Sequence, residues 1–142
     1  MTENKKENLN NRMIKFLFEG APVRGACVQM AEEWQEMIKF HHYPENVAAL
    51  LGQFTAGALL LSSTIKFEGS LILQVKGSGP IAFIYAEVRN PMSVRAMAEI
   101  REGAEIKPEM DLQELINKDG KGLCALILDP KDRRPGVQPY QG

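Results

Sequence analysis

Cysteine is scarce in this chain: among 142 residues only Cys27 and Cys124 carry a thiol. Neither has a neighbour at metal-ligand spacing, so neither a zinc ribbon nor a disulfide framework is available. Flanked by small or apolar residues, both read as buried small hydrophobes within strands. Net charge is nearly absent too. With 17 Lys and Arg against 18 Asp and Glu, no basic surface exists to make nucleic acid the main partner. Histidine is limited to His41 and His42. Adjacent residues do not share a helix face, and no third ligand lies near, so the pair suits a helix C-terminus better than a metal. Ser62 and Ser63 lie outside any nucleophile-elbow pattern. No dinucleotide glycine fingerprint follows the first strand. Enzymatic chemistry therefore has no visible carrier. The opening MTENKKENLNNR has no apolar run after its charges, so a secretory leader is not expected and a cytoplasmic location is.

What the chain has in quantity is one apolar stretch at residues 44–69, PENVAALLGQFTAGALLLSSTIKFEG, with no charged side chain from Val47 to Ile65. Pro44 can occupy the first helical turn, and Glu45 complements the positive end of the helix dipole. Ala48, Gly52 and Ala56 form a row of small side chains expected to face a sheet at close range. The stretch is long enough to cross a bilayer. Its polar load (Gln53, Thr55, Ser62, Ser63 and Thr64) and its lack of a basic cluster or aromatic belt favour a buried central helix instead. No membrane partner is expected.

The remaining chain reads as one domain wrapped on that helix, with residues 1–12 as a mobile polar tail. Residues 13–19 (MIKFLFE) and 23–30 (VRGACVQM) are extended, separated by Gly20-Ala21-Pro22. Residues 31–42 form an amphipathic helix with Trp34, Met37, Ile38 and His41 on one face. After Gly69 the period changes to strands. Residues 70–76 and 81–89 make a hairpin around Gly77-Ser78-Gly79-Pro80, a loop that feeds a strand and so is a poor phosphate cradle. Asn90-Pro91 turns into a third strand at 93–100. A short helix at 111–117 and a strand at 122–128, apolar on both faces as a covered strand would be, follow before Asp129-Pro130 ends it. Lys131 to Gly136 is turn chemistry, and Tyr140 begins a further strand. The class predicted is α+β: an antiparallel β meander packed around a long apolar central helix, with smaller flanking helices.

The stretches FLFEGAPVRG, Tyr43-Pro44 opening the apolar helix, and LLSSTIKFEGSLILQVKGSGP together resemble the redox-regulated holdase chaperones of the thirty-three-kilodalton heat-shock protein family. The match is most specific from Leu60 to Pro80, where helix, Lys66-Phe67-Glu68-Gly69, strand and glycine turn follow in order. Weaker echoes lie at residues 92–100, 111–116, 120–130 and 140–142. Many members have Gly after the Arg of the third strand, where this chain has Ala96. The resemblance runs from Met13 onward and reaches only the first half of a family member. It implies that residues 13–142 are the N-terminal part of a chaperone core, with the C-terminal zinc redox domain absent.

The resemblance implies an ATP-independent, stress-response holdase that binds unfolding client proteins through apolar surface. It implies a cytoplasmic homodimer, or a complex with the remainder of a cleaved chain. The family's zinc is held by four cysteines in Cys-x-Cys and Cys-x-x-Cys pairs. Cys27 and Cys124 match neither, so no cofactor is expected in this chain. The candidate client-binding residues are Phe83 and Tyr85 on one strand and Leu126 and Leu128 on another, beside Cys124. Two alternatives stand beside this reading: a dimerising structural fragment with no client binding of its own, and an enzyme whose catalytic residues lie elsewhere.

Overall fold

A computed structural model describes residues 12–65, 68–89 and 93–131, and the backbone of 140–141. Residues 1–11 of the expected tail, Asn90-Pro91 and most of the 131–136 turn lie outside these residues, whereas Arg12, read as the end of the tail, opens the first strand. The first strand, β1 (Arg12–Leu17), pairs antiparallel with β2 (Arg24–Gln29) as a separate two-stranded sheet. Gly20, at φ 77, makes the connecting bend that a residue with a Cβ rarely adopts.

Helix α1 (Glu32–Lys39) has glutamates in its first turn and Lys39 in its last, both matched to the helix dipole. The long helix α2 (Glu45–Thr64) follows. Pro44 stands one position earlier than expected, as N-cap at φ −53 and ψ 150, with its carbonyl accepting from Ala48 N at 2.9 Å. Proline lacks only a donor, so its carbonyl can still start the ladder. By length and composition α2 would suit a membrane span. Here it packs on a sheet through Val47, Leu51, Thr55, Ala58 and Leu59, and the Thr55 hydroxyl donates to Leu51 O at 2.7 Å.

That sheet contains β3 (Gly69–Lys76), β4 (Ile81–Arg89), β5 (Ser93–Ile100), β6 (Leu123–Pro130) and β7 (Tyr140–Gln141), in the order β5-β4-β3-β6-β7. It is antiparallel at every pairing. Only β3, β4 and β5 form a consecutive meander, because β6 joins on the far side of β3. Strand β6 also runs through Asp129 and Pro130, which pair with Ser70 and Gly69. Proline at the last position of a ladder removes a donor where pairing is already ending.

Strand alternation divides the sheet's residues between two faces. The register places Leu71, Val88, Val94 and Leu128 in one row, Leu73, Ala86, Ala96 and Leu126 in the next, and Val75, Ile84, Ala98 and Cys124 in a third. The first two rows, with Val75, Ile84 and Ala98 of the third, pack with α2 in two clusters. One is built on Val47, Leu51, Ile81 and Ile84, the other on Ala58, Leu59, Leu71 and Val88.

Helix α3 (Leu112–Ile116) closes one end of the first cluster with Leu115 and Ile116, behind a reciprocal Asp111–Glu114 capping box. The glycine turn between β3 and β4 runs directly against it. A Cβ on Gly77 would overlap the Ile116 carbonyl, and one on Gly79 would overlap that of Leu115. Arg101 then donates to the carbonyls of Gly79 and Gly77, at 2.9 and 2.5 Å. The Gly-Ser-Gly loop is thus filled by protein backbone, which accounts for its glycines without a phosphate.

Candidate functional site

The four candidate side chains fall on opposite faces of the large sheet. Phe83 and Tyr85 project outward, half-buried, with ring centroids 6.1 Å apart and planes at 27°. Leu126 and Leu128 project inward, half-buried against the cluster of Ala58, Leu59 and Leu71. The four cannot form one continuous surface.

The outward pair sits in a mixed environment. Its row neighbours are Lys76 and Glu99 beside Phe83, and Gln74 and Met97 beside Tyr85. The next outward residue, Glu87, is only 6% exposed. Its carboxylate accepts from Tyr85 Oη at 2.8 Å and Arg89 Nε at 2.9 Å. Burial works to raise the Glu87 carboxyl, but the hydrogen bonds from Tyr85 and Arg89 outweigh it and hold the group below its ordinary value. Burial and then the bond to Glu87 push the Tyr85 hydroxyl up to about 12. The buried carboxylate is thus satisfied by its own strand neighbours, the Tyr85 hydroxyl and Arg89 Nε.

Both cysteines are exposed, contrary to the expectation of burial. Cys27 alternates onto the side of β2 opposite Val28, which packs toward α2. Cys124 shares a row with Val75 and Ile84 but stands near the start of β6, where the helix no longer covers the sheet. Strand β6 as a whole is half-buried, and Leu123 is 66% exposed, so it is not covered on both faces by the described residues. The thiols lie on separate sheets, and no cluster of three metal-ligating side chains forms among the described residues. The family's four-cysteine zinc site does not fit the residues present.

The largest concentration of exposed apolar side chains is on the β1–β2 hairpin. Ile14, Phe16, Leu17, Phe18 and Val23 are all exposed, Leu17 at 80% and Phe18 at 55%. Phe16 lies across Gly25, its cross-strand partner, and meets Phe18 edge-on at 5.8 Å. Met13 and Val28, on the other face, anchor the hairpin to the α2 cluster. Between the hairpin and the C-terminal turns of α2 runs a groove of about 570 Å³, lined by Lys15, Phe16, Leu17, Arg24, Ala26 and Leu60, with Ser63 and Thr64 on the helix wall. Three consecutive apolar residues, Phe16 to Phe18, were the available signal in the sequence. A two-stranded ribbon backed on one face cannot bury all three.

A family model described as Hsp33 protein matches residues 11–142. The chain belongs to the Hsp33 family. Its similarity to curated members is spread over nearly its full length. It is 39% identical over 137 residues to the 33 kDa chaperonin of Neisseria gonorrhoeae (strain NCCP11945), covering 95% of this chain and 45% of that protein. The 33 kDa chaperonin of Aliivibrio salmonicida (strain LFI1238) is 38% identical over 135 residues, covering 94% and 45%. That of Shewanella woodyi is 35% identical over 137 residues, covering 96% and 43%. The chain therefore spans less than half the length of the Hsp33 relatives it matches.

Proposed function

We propose that this chain is a holdase-type chaperone core, which shields unfolding proteins from aggregation by covering their apolar segments without nucleotide. The observation that carries the reading is the exposed apolar hairpin, on a chain whose relatives are named chaperonins. Clustered large apolar side chains on a soluble surface mark interaction sites, and burying a client's apolar area there is favourable and non-directional. Such a surface selects for unfoldedness more than for sequence. Of the two candidate strands, the one carrying Phe83 and Tyr85 is the less suitable docking point, because its face is interrupted by Glu87, Arg89 and Lys76.

In this reading the chain works in the cytoplasm as a homodimer or beside a second polypeptide, and has no catalytic role. Redox control by four zinc-bound cysteines has no counterpart in Cys27 and Cys124, so oxidant should leave the activity of this chain unchanged. The test is light scattering of a thermally unfolding enzyme with equimolar chain and no ATP. Suppressed scattering is expected, and a hairpin variant (Leu17→Ser with Phe18→Ser) should suppress less. Unchanged scattering with the parent chain would leave a structural fragment as the better description.

A further inference from the structure

Hairpin and helix together make a groove whose charge is one-sided. Its apolar surface comes from Leu17, Ala26 and Leu60, while Lys15 and Arg24 stand on the hairpin wall. Register places Lys15 opposite Ala26 and Leu17 opposite Arg24, so both cations share the hairpin face that looks toward α2. Among the described residues no carboxylate lines the groove. On the helix wall, the Ser63 and Thr64 hydroxyls donate to Leu60 O at 2.7 Å and Leu61 O at 2.8 Å, so they have no proton left to offer a ligand. Positive potential in the groove thus comes from Lys15 and Arg24 on one wall.

We propose that this groove holds an extended polypeptide segment whose apolar side chains are flanked by aspartate or glutamate. The proposal rests on the chaperone reading and narrows it to a substrate class. Apolar side chains of the segment lie against Leu17, Ala26 and Leu60, and the flanking carboxylates meet Lys15 and Arg24. Charge complementarity of this kind adds selectivity and speed of encounter more than raw affinity. A concave groove suits a single chain, whereas a bilayer would meet a convex tip.

The experiment measures binding of three labelled peptides to the 142-residue chain by fluorescence anisotropy. All share one apolar core and differ in flanks of aspartate and glutamate, glutamine, or lysine. Anionic phosphatidylglycerol vesicles form a fourth arm, and aggregation suppression is recorded in parallel. The acid-flanked peptide should bind about fivefold more tightly than the lysine-flanked one at low salt, with the gap closing as salt rises. Lys15→Glu with Arg24→Glu, both exposed and outside the apolar core, should invert that order. Leu17→Ser should weaken all three peptides alike.

Equal affinity for acid- and lysine-flanked peptides, or an order unchanged in the charge-reversed chain, would overturn the proposal. So would binding to vesicles without binding to the acid-flanked peptide, or a groove closed by a second copy so that no peptide enters. Aggregation suppression that persists without peptide discrimination sinks this inference and leaves the chaperone reading intact. Charge-dependent peptide binding without any suppression supports the groove and sinks the chaperone reading instead.

Discussion

Tyr85, Glu87 and Arg89 show how a charged residue is kept inside a sheet face. Glu87 is nearly out of contact with water, yet both of its oxygens accept a hydrogen bond. Charge-assisted bonds offset the desolvation that burial imposes. The two shifts give stability a window. The folded Glu87 carboxyl lies below its ordinary 4.5, so its contribution is present above that pH and is lost as pH falls through the folded value. The folded Tyr85 hydroxyl lies above its ordinary 10.0, so its contribution is present below pH 10 and is lost as pH rises toward about 12. Tyr85→Phe should cost roughly 1 kcal/mol at neutral pH. It should also flatten the alkaline fall of the denaturation midpoint. A variant that declines in base as steeply as the parent would show that another group governs that limb.

At the scale of elements, the small-residue row on α2 has a different neighbour from the one its spacing suggested. Gly52 faces α1, not the sheet: a Cβ built there would lie 2.6 Å from Trp34 Nε1. The sheet is met instead by the line through Val47, Leu51, Thr55 and Leu59. Small residues permit close approach but do not say by what. Among the described residues the buried indole N–H finds no hydrogen-bond partner, a cost the packed ring tolerates because so much apolar area goes with it. Gly52→Leu should therefore destabilise the chain by roughly 1–3 kcal/mol, after a gain of up to about 1 kcal/mol in helix propensity. In a Trp34→Ala background the same change should cost much less. Chemical denaturation of the two single variants and the double variant decides it, since equal costs in both backgrounds would mean that Trp34 is not what the new side chain meets.

At the scale of the whole molecule, the described surface leaves a lone chain poorly sealed. Leu17, Phe18 and Val23 at the hairpin tip and Leu123 on β6 are open to water. Among the described residues strand β5 is an edge, with its Ala98 N–H taken up by the Tyr43 hydroxyl at 3.2 Å, and β7 (Tyr140–Gln141) forms the opposite edge. Apolar patches and unpaired strand edges recruit partners. The stable species should accordingly be a homodimer or a complex with a second polypeptide, as the family resemblance implies. Size-exclusion chromatography with multi-angle scattering, followed by denaturing mass spectrometry, measures this. A monodisperse, stable particle at the 15.8 kDa chain mass would falsify it.

Period and punctuation were enough to locate most elements. The change from helical to strand spacing after Gly69 and the glycine turn at 77–80 placed α2, β3 and β4 within about a residue of where they lie, and the helix read at 111–117 is α3 to within one residue at each end. These features are local: a residue's neighbours in sequence decide whether a helix or strand can form there. Family membership was legible for the same reason, being carried by contiguous motifs. What only the tertiary structure decided is which surface each element meets. Nothing in the spacing of Ala48, Gly52 and Ala56 names Trp34 as the neighbour, and nothing in the runs around Cys27 and Cys124 shows that α2 fails to cover them. Phe16, Leu17 and Phe18 read as ordinary strand residues until the hairpin stands apart from the five-stranded sheet. Burial depends on the whole arrangement of elements in space, so the exposed face that carries the proposed function emerged only with the fold.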